Sequence, residues 1–337
     1  AATGGEANIG IGYQAGRAIS TADHNTLVGS QAGTSLNTGG YNVFLGWKSG
    51  LSATSNHSNV AIGNQAFIGS TAGSHENVAI GSRAMQIGAV TGNANIAVGA
   101  KALQDLTSGT DNVAIGTDTG LNLTTATNTV AIGYNAIGLG ITTGNDNIAI
   151  GANSGKDLTS GERNILMGHG AGENITDGTY NVAIGYQALD VSTTADGTVA
   201  IGKNTIGAGA LTGHNNIAIG LHALNDGTSA VANIAVGGHA AANLTSGAEN
   251  IAVGSGSMGI GIVTGDNNIA MGQYSLEDVT SGRDNVVIGS GAALQSTNNV
   301  DNVVIGHDAF AASINDGDKN VAIGLGSMKT GDVSGDN

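Results

Sequence analysis

The 337-residue chain contains no proline and no cysteine. The missing cysteine excludes a disulfide framework and any thiolate metal site. The missing proline leaves every residue able to donate a backbone hydrogen bond, as uninterrupted β-pairing requires. Aromatic residues make up 3% and charged residues 10%. That is too little aromatic surface for a conventional globular core. There is no apolar run near 18 residues, so no transmembrane helix and no membrane insertion is expected. Basic residues number 10 against 25 acidic ones, a net charge of −15. A nucleic-acid partner, which needs a basic stripe, is therefore not expected. The opening Ala1-Ala2-Thr3-Gly4-Gly5 has no signal-peptide character.

What the chain does have is glycine, 58 residues of it, much of it in strict rhythm. One copy of the recurring unit is Asn181-Val182-Ala183-Ile184-Gly185-Tyr186-Gln187-Ala188. Taking its glycine as an anchor, the unit occurs 19 times between Gly12 and Gly324, always 17 or 18 residues apart. Such self-similarity marks a repeat architecture in which units contact mainly their neighbours.

The columns of the repeat are sharply defined. The residue before the anchor is Ile, Val, Leu or Met in all 19 copies, and the residue three before it is Ile or Val in 18, Thr26 being the exception. Between them stands Ala in 13 copies, interrupted by Gly10, Leu27, Phe44, Leu166, Val287 and Val304. Four before the anchor is Asn in 17 copies, replaced by Thr129 and Thr198. The copy Asn147, Ile148, Ile150, Gly151 shows the same pattern. Period-two placement of branched residues predicts a strand, with Val182 and Ile184 on one face and Asn181 and Ala183 on the other. Both faces are largely apolar, which predicts cover on both sides, with Ile184 in the core. The glycine predicts a sharp corner. Stacked Asn side chains one coil apart, about 4.8 Å, predict an amide ladder.

Half a unit away lies a turn signal, as in Leu106-Thr107-Ser108-Gly109, Leu158-Thr159-Ser160-Gly161, Leu244-Thr245-Ser246-Gly247 and Val279-Thr280-Ser281-Gly282. Each unit therefore reads as strand, corner, short second strand and turn, too short for a helix. The predicted fold is all-β: a parallel β-roll or β-solenoid of about 19 coils of 17–18 residues. It forms a single continuous repeat domain over 1–337 and a rod roughly 90 Å long at about 4.8 Å per coil. Long coils begin at Gly202, Gly254 and Gly306, every 52 residues.

The motif Asn181-Val-Ala-Ile-Gly-Tyr-Gln-Ala-Leu189 resembles the β-roll head of YadA-type trimeric autotransporter adhesins and the repeats of phage tail-fibre-like surface proteins. The resemblance covers essentially the whole chain. It implies a left-handed, homotrimeric, extracellular fibre on a bacterial surface or virion, attaching to a host-surface glycan or protein receptor. The coils here are longer than those usual in the adhesin heads, and the sequence shows no pattern of the neck, coiled-coil stalk or membrane anchor that those adhesins carry outside the head.

Nothing in the sequence predicts catalysis, a cofactor or a metal. The eight histidines form no His-x-His or His-Glu-x-x-His group and read as scattered surface residues. Asp284 and Asp301 lie one coil apart, but Lys319 takes the next place. Trp47, Tyr13, Tyr134 and Tyr186 follow anchor glycines and are the candidate binding aromatics, suited to stacking on sugars or to an interchain contact. The leading expectation is a structural fibre or adhesin segment forming a homotrimer. The alternatives are an ice-binding solenoid with an exposed Ala/Thr face and a carbohydrate-binding tail-fibre shaft. The sequence opens within one unit and stops at Asn337, where the next strand would open. End-to-end filaments are a further expectation.

Overall fold

The computed structural model describes residues 5–70, 73–87, 89–311 and 317–329. The termini that frame the end-to-end expectation, residues 1–4 and 330–337, lie outside the described residues. Every secondary-structure element is a three-residue parallel strand, and no helix is present among the described residues. The strands run in chain order from β1 (Ile9–Ile11) and β2 (Thr26–Val28) through β9 (Ile148–Ile150), β10 (Ile165–Met167), β11 (Val182–Ile184) and β12 (Val199–Ile201) to β19 (Val321–Ile323). The protein is a parallel β-solenoid with one strand per coil.

The chain divides into two compact units, Ala1–His169 and Gly170–Asn337. In the first, β1 to β10 each pair with the next strand. In the second, β11 to β19 do the same. Register is that of the repeat: Val182 opposes Val199, Ala183 opposes Ala200 and Ile184 opposes Ile201.

The two faces of each strand are assigned oppositely to the expectation. Ala183 and Asn181 are buried, whereas Val182 and Ile184 point outward and are half-exposed. The reason is the width of a 17-residue coil. Its interior also holds the small residue three after the anchor and a larger one four after it, as in Ala188 and Leu189. It further holds the aliphatic before the Thr-Ser-Gly turn, as in Leu244. With those in place, the strand has room for little more than a methyl group. The exceptions in the Ala column follow the same volume rule. Phe44 and Leu27 are fully buried, and they fill space left by glycines in the position where other coils carry Leu. A Cβ on Gly50 would lie 2.4 Å from the Phe44 ring, and one on Gly33 would lie 2.9 Å from a Leu27 methyl.

The expected second strand is absent as a regular element; only isolated bridges such as Leu244 with Val263 occur among the described residues. After the anchor, left-handed residues recur at alternate positions, as in Gln187 (φ 50°) and Leu189 (φ 54°). Such residues break extended geometry. Gly185 and Ala188 close a turn (3.4 Å) with Gln187 in the left-handed place. Hydrogen bonding between coils continues regardless: Asn204 N–H donates to Tyr186 O at 2.9 Å, and Leu189 N–H to Thr205 O at 2.9 Å.

The Asn column forms the expected ladder. In the first unit, Asn25 Oδ1 accepts from the backbone N–H of Asn42 (2.9 Å) and from its Nδ2 (3.0 Å). Asn42 Nδ2 also donates to Asn56 O at 2.7 Å. The same pattern joins Asn233, Asn250 and Asn268 in the second. Thr breaks it. Thr198 N–H still donates to Asn181 Oδ1 (3.0 Å), but its hydroxyl turns back to Asp196 O (3.3 Å). In the next coil Asn216 donates only to the carbonyls of His214 (3.3 Å) and Ala230 (2.7 Å). Thr198→Asn restores the missing rung and is expected to stabilise the fold by about 1 kcal/mol, the net worth of one such bond. A urea midpoint equal to or below that of the parent protein would count against it.

Candidate functional surface

The strand turns its branched residues outward, so each unit carries a flat apolar surface two columns wide. Ile217 and Ile219 are both 37% exposed, and Val43 and Leu45 are 37% and 42% exposed. The columns are regular because register is fixed by the inward Asn and Ala, which cannot change places with Val and Ile without burying two branched side chains per coil. Soluble proteins rarely leave contiguous apolar surface of this extent uncovered.

The corner beyond the anchor carries the four candidate aromatics. Tyr13, Trp47 and Tyr134 in the first unit, and Tyr186 in the second, are all exposed. They occupy equivalent positions in non-adjacent coils and so do not stack on one another. Trp47 is capped by Lys48 Nζ at 4.4 Å from the ring centroid, and Tyr186 faces Lys203 Nζ at 5.8 Å. These are cation–π contacts of about 0.5–1 kcal/mol at exposed sites. Two further exposed tyrosines, Tyr41 and Tyr180, sit just before the ladder asparagines with φ near 60°. Sequence reading passed over them because the residue type in that position varies freely.

Four of the eight histidines meet in pairs across coils. His57 and His75 bring their ring centroids to 5.4 Å, and His222 and His239 stack at 5.2 Å. Residues 17 or 18 apart become neighbours in a solenoid, whereas His-x-His and His-Glu-x-x-His motifs span only a few residues. His57 Nδ1 accepts the backbone N–H of Gly40 at 3.0 Å. Asp196, Asp266 and Asp318 use Oδ1 in the same way, accepting from Thr179, Ala248 and Val300 at 2.6–2.8 Å. The polar residues of this column thus hold loops together. Asp284 accepts from Asn267 Nδ2 (3.2 Å) and lies 3.6 Å from the Arg283 guanidinium. Among the described residues, no three His, Asp or Glu side chains gather in a way that could hold a metal ion.

One concavity stands out, in the second unit. It has a volume of about 240 Å³ and is lined by His239, Ser255, Gly256, Ile260, Tyr274 and Glu277 among others. Burial raises the Glu277 carboxyl above its usual range, with the neighbouring Asp278 charge adding to the effect. A second space, walled by Leu276, Val287, Val304 and Phe310, is a packing gap too tight for a water molecule. Among the described residues, no helix is long and apolar enough to cross a membrane. Comparison with known protein families finds no family model that matches the chain, and comparison with curated proteins finds no match to it.

Proposed function

We propose that this chain is a structural segment of an extracellular fibre, assembling as a homotrimer through its outward Val and Ile columns. The observation that supports this is the orientation of the strands: the interior is closed by Ala and Asn within one chain, and the branched residues are left on the surface. A trimer would therefore cover Val182 and Ile184, the Ala column being closed within each chain. In the second unit each of nine strands offers two outward aliphatic side chains. Covering their exposed halves contributes about 0.5–1 kcal/mol apiece. That is roughly 9–18 kcal/mol for the unit, the same order as the cost of association. The exposed tyrosines and Trp47 supply the surface by which such a fibre would engage a glycan or protein receptor. The ice-binding alternative loses its stated surface, since the Ala array faces inward.

Light scattering tests the assembly. The 32.8 kDa chain is expected to run at three times that mass at micromolar concentration. Ile184→Lys combined with Ile219→Lys is expected to give a folded monomer, with the circular dichroism of the parent and a mass one third as large. Gln187→Asp, off the strand face, leaves the trimer intact. A parent protein that is monomeric or dimeric overturns the proposal.

A further inference from the structure

The Glu277 concavity belongs to neither the strand face nor the four corner aromatics, and its chemistry is specific. Successive coils place His222, His239, Gly256 and Tyr274 two residues after their anchors. The two histidines stack with ring centroids 5.2 Å apart. The row then lacks a side chain at Gly256 and resumes at Tyr274. His239 and Tyr274 are thus two coils apart, about 9.6 Å along the stack, which is wider than one ring. Gly256 is required by what lies over it: its φ is +67°, and a Cβ there would come within 2.6 Å of Tyr274 Cδ1. The glycine lets the Tyr274 ring lean across the floor. Ile260, 60% exposed, makes an apolar wall, and Ser255 adds a hydroxyl.

On the remaining side is Glu277. The residue is half-buried, and among the described residues its carboxylate has no hydrogen bond or ion pair. Asp278 stands beside it and adds a second negative charge. A partly desolvated anion with no partner, next to an aromatic face and an aliphatic wall, lacks one component: a positive charge with an apolar coat. A neutral sugar could stack on Tyr274 but would leave the carboxylate uncompensated. An anion would be repelled, the more so by a chain of net charge −15.

We propose that this concavity is a binding site for a small alkylammonium ion, its methylated head resting on the Tyr274 ring beside Ile260 and its charge directed to the Glu277 carboxylate. Quaternary ammonium groups are held by this combination of aromatic face and carboxylate, and the attraction grows as water is excluded. The volume suits a head group and a short tail, not a polymer.

Choline is the probe, titrated calorimetrically into the full chain at 100 mM NaCl. Saturable binding at millimolar concentration is expected. The neutral isostere 3,3-dimethylbutan-1-ol, of the same shape without the charge, is expected to bind at least fivefold more weakly. Glu277→Gln keeps the shape and should weaken choline at least tenfold. Tyr274→Phe should retain binding and Tyr274→Ala should lose it, with unchanged melting temperatures showing that the coil is intact. Co-sedimentation with phosphatidylcholine vesicles would assign the head group to a lipid source, and choline binding without it would assign the free ion; either supports the site. Equal affinity for the neutral alcohol, unchanged choline binding by Glu277→Gln, or no saturable heat overturns it. None of these readouts depends on the oligomeric state, so the site and the trimer fail or stand separately.

Discussion

Gly237→Ala is expected to destabilise its unit by about 4 kcal/mol, whereas Gly238→Ala, one residue on, is expected to change stability by less than about 0.5 kcal/mol. The contrast follows from what each added methyl meets. Gly237 has φ +132°, a region that side chains avoid, and its Cβ would sit 2.7 Å from both the carbonyl carbon and oxygen of Gly254. The obstruction is backbone of the next coil, fixed by the Gly254 N–H to Val236 O bond at 2.8 Å. It can retreat only by breaking the ladder on one side. Backbone strain of about 1–3 kcal/mol is thus added to the loss of at least one buried bond between successive coils, each about 1–3 kcal/mol when left unmade. A total near 4 kcal/mol is expected. The Gly238 Cβ would meet only Ser255 Oγ, at 4.0 Å, and its φ is ordinary. Urea unfolding of both variants settles the matter; similar midpoints would show that the corner yields, and that the repeated glycine answers to something other than close approach. All 19 anchors share φ between 121° and 142°, so the result at one position speaks for the column.

The second large effect is expected at the ladder. Asn250 is buried and makes its bonds in both directions along the stack. Its Nδ2 donates to Asn233 Oδ1 (3.2 Å) and Gly265 O (2.8 Å). Its Oδ1 accepts from Asn268 N–H (2.9 Å) and Asn268 Nδ2 (3.0 Å). Asn250→Leu is close in volume, so it leaves little cavity. It does leave the Gly265 carbonyl, the Asn268 N–H and one Asn268 amide hydrogen buried and unpaired. At about 1–3 kcal/mol for each of the three groups, a loss of roughly 3–9 kcal/mol is expected. Asn250→Thr, the replacement already present at Thr129 and Thr198, should cost less, because its hydroxyl can serve one of the three partners. Thermal melting distinguishes these; a Leu variant as stable as the Thr variant would mean that the amides are spacers and not structural bonds.

The glycine anchors, the strands and the stacked asparagines were all legible in the sequence, because each depends on backbone geometry repeated at one spacing. The inside and outside of the strand were not. Hydrophobicity ranks Ile184 above Ala183 as a core residue, but a narrow interior selects by volume, and only the fold shows that side chains such as Leu189 already occupy it. The missing second strand was illegible for a different reason. Left-handed Gln187 and Leu189 carry no mark in their residue type, and Leu189 is a poor candidate for positive φ on any local scale. The histidine pairs and the Glu277 concavity arise from residues one or two coils apart. They become visible once the sequence is written as a stack of coils and its columns are read across residue types.

The volume rule inside the coil bears on how a protein of this kind can grow and diversify. Phe44 and Gly50 form one complementary pair, and Leu27 and Gly33 another. Each pair straddles the anchor glycine. A recombination event that joins chains at the anchor would separate large from small, leaving one hybrid coil overfilled and the other hollow. A crossover in the Thr-Ser-Gly loop moves both members together and leaves the interior filled. Coils are therefore heritable as modules only when cut on the loop side, and gene duplication is expected to leave its seams there.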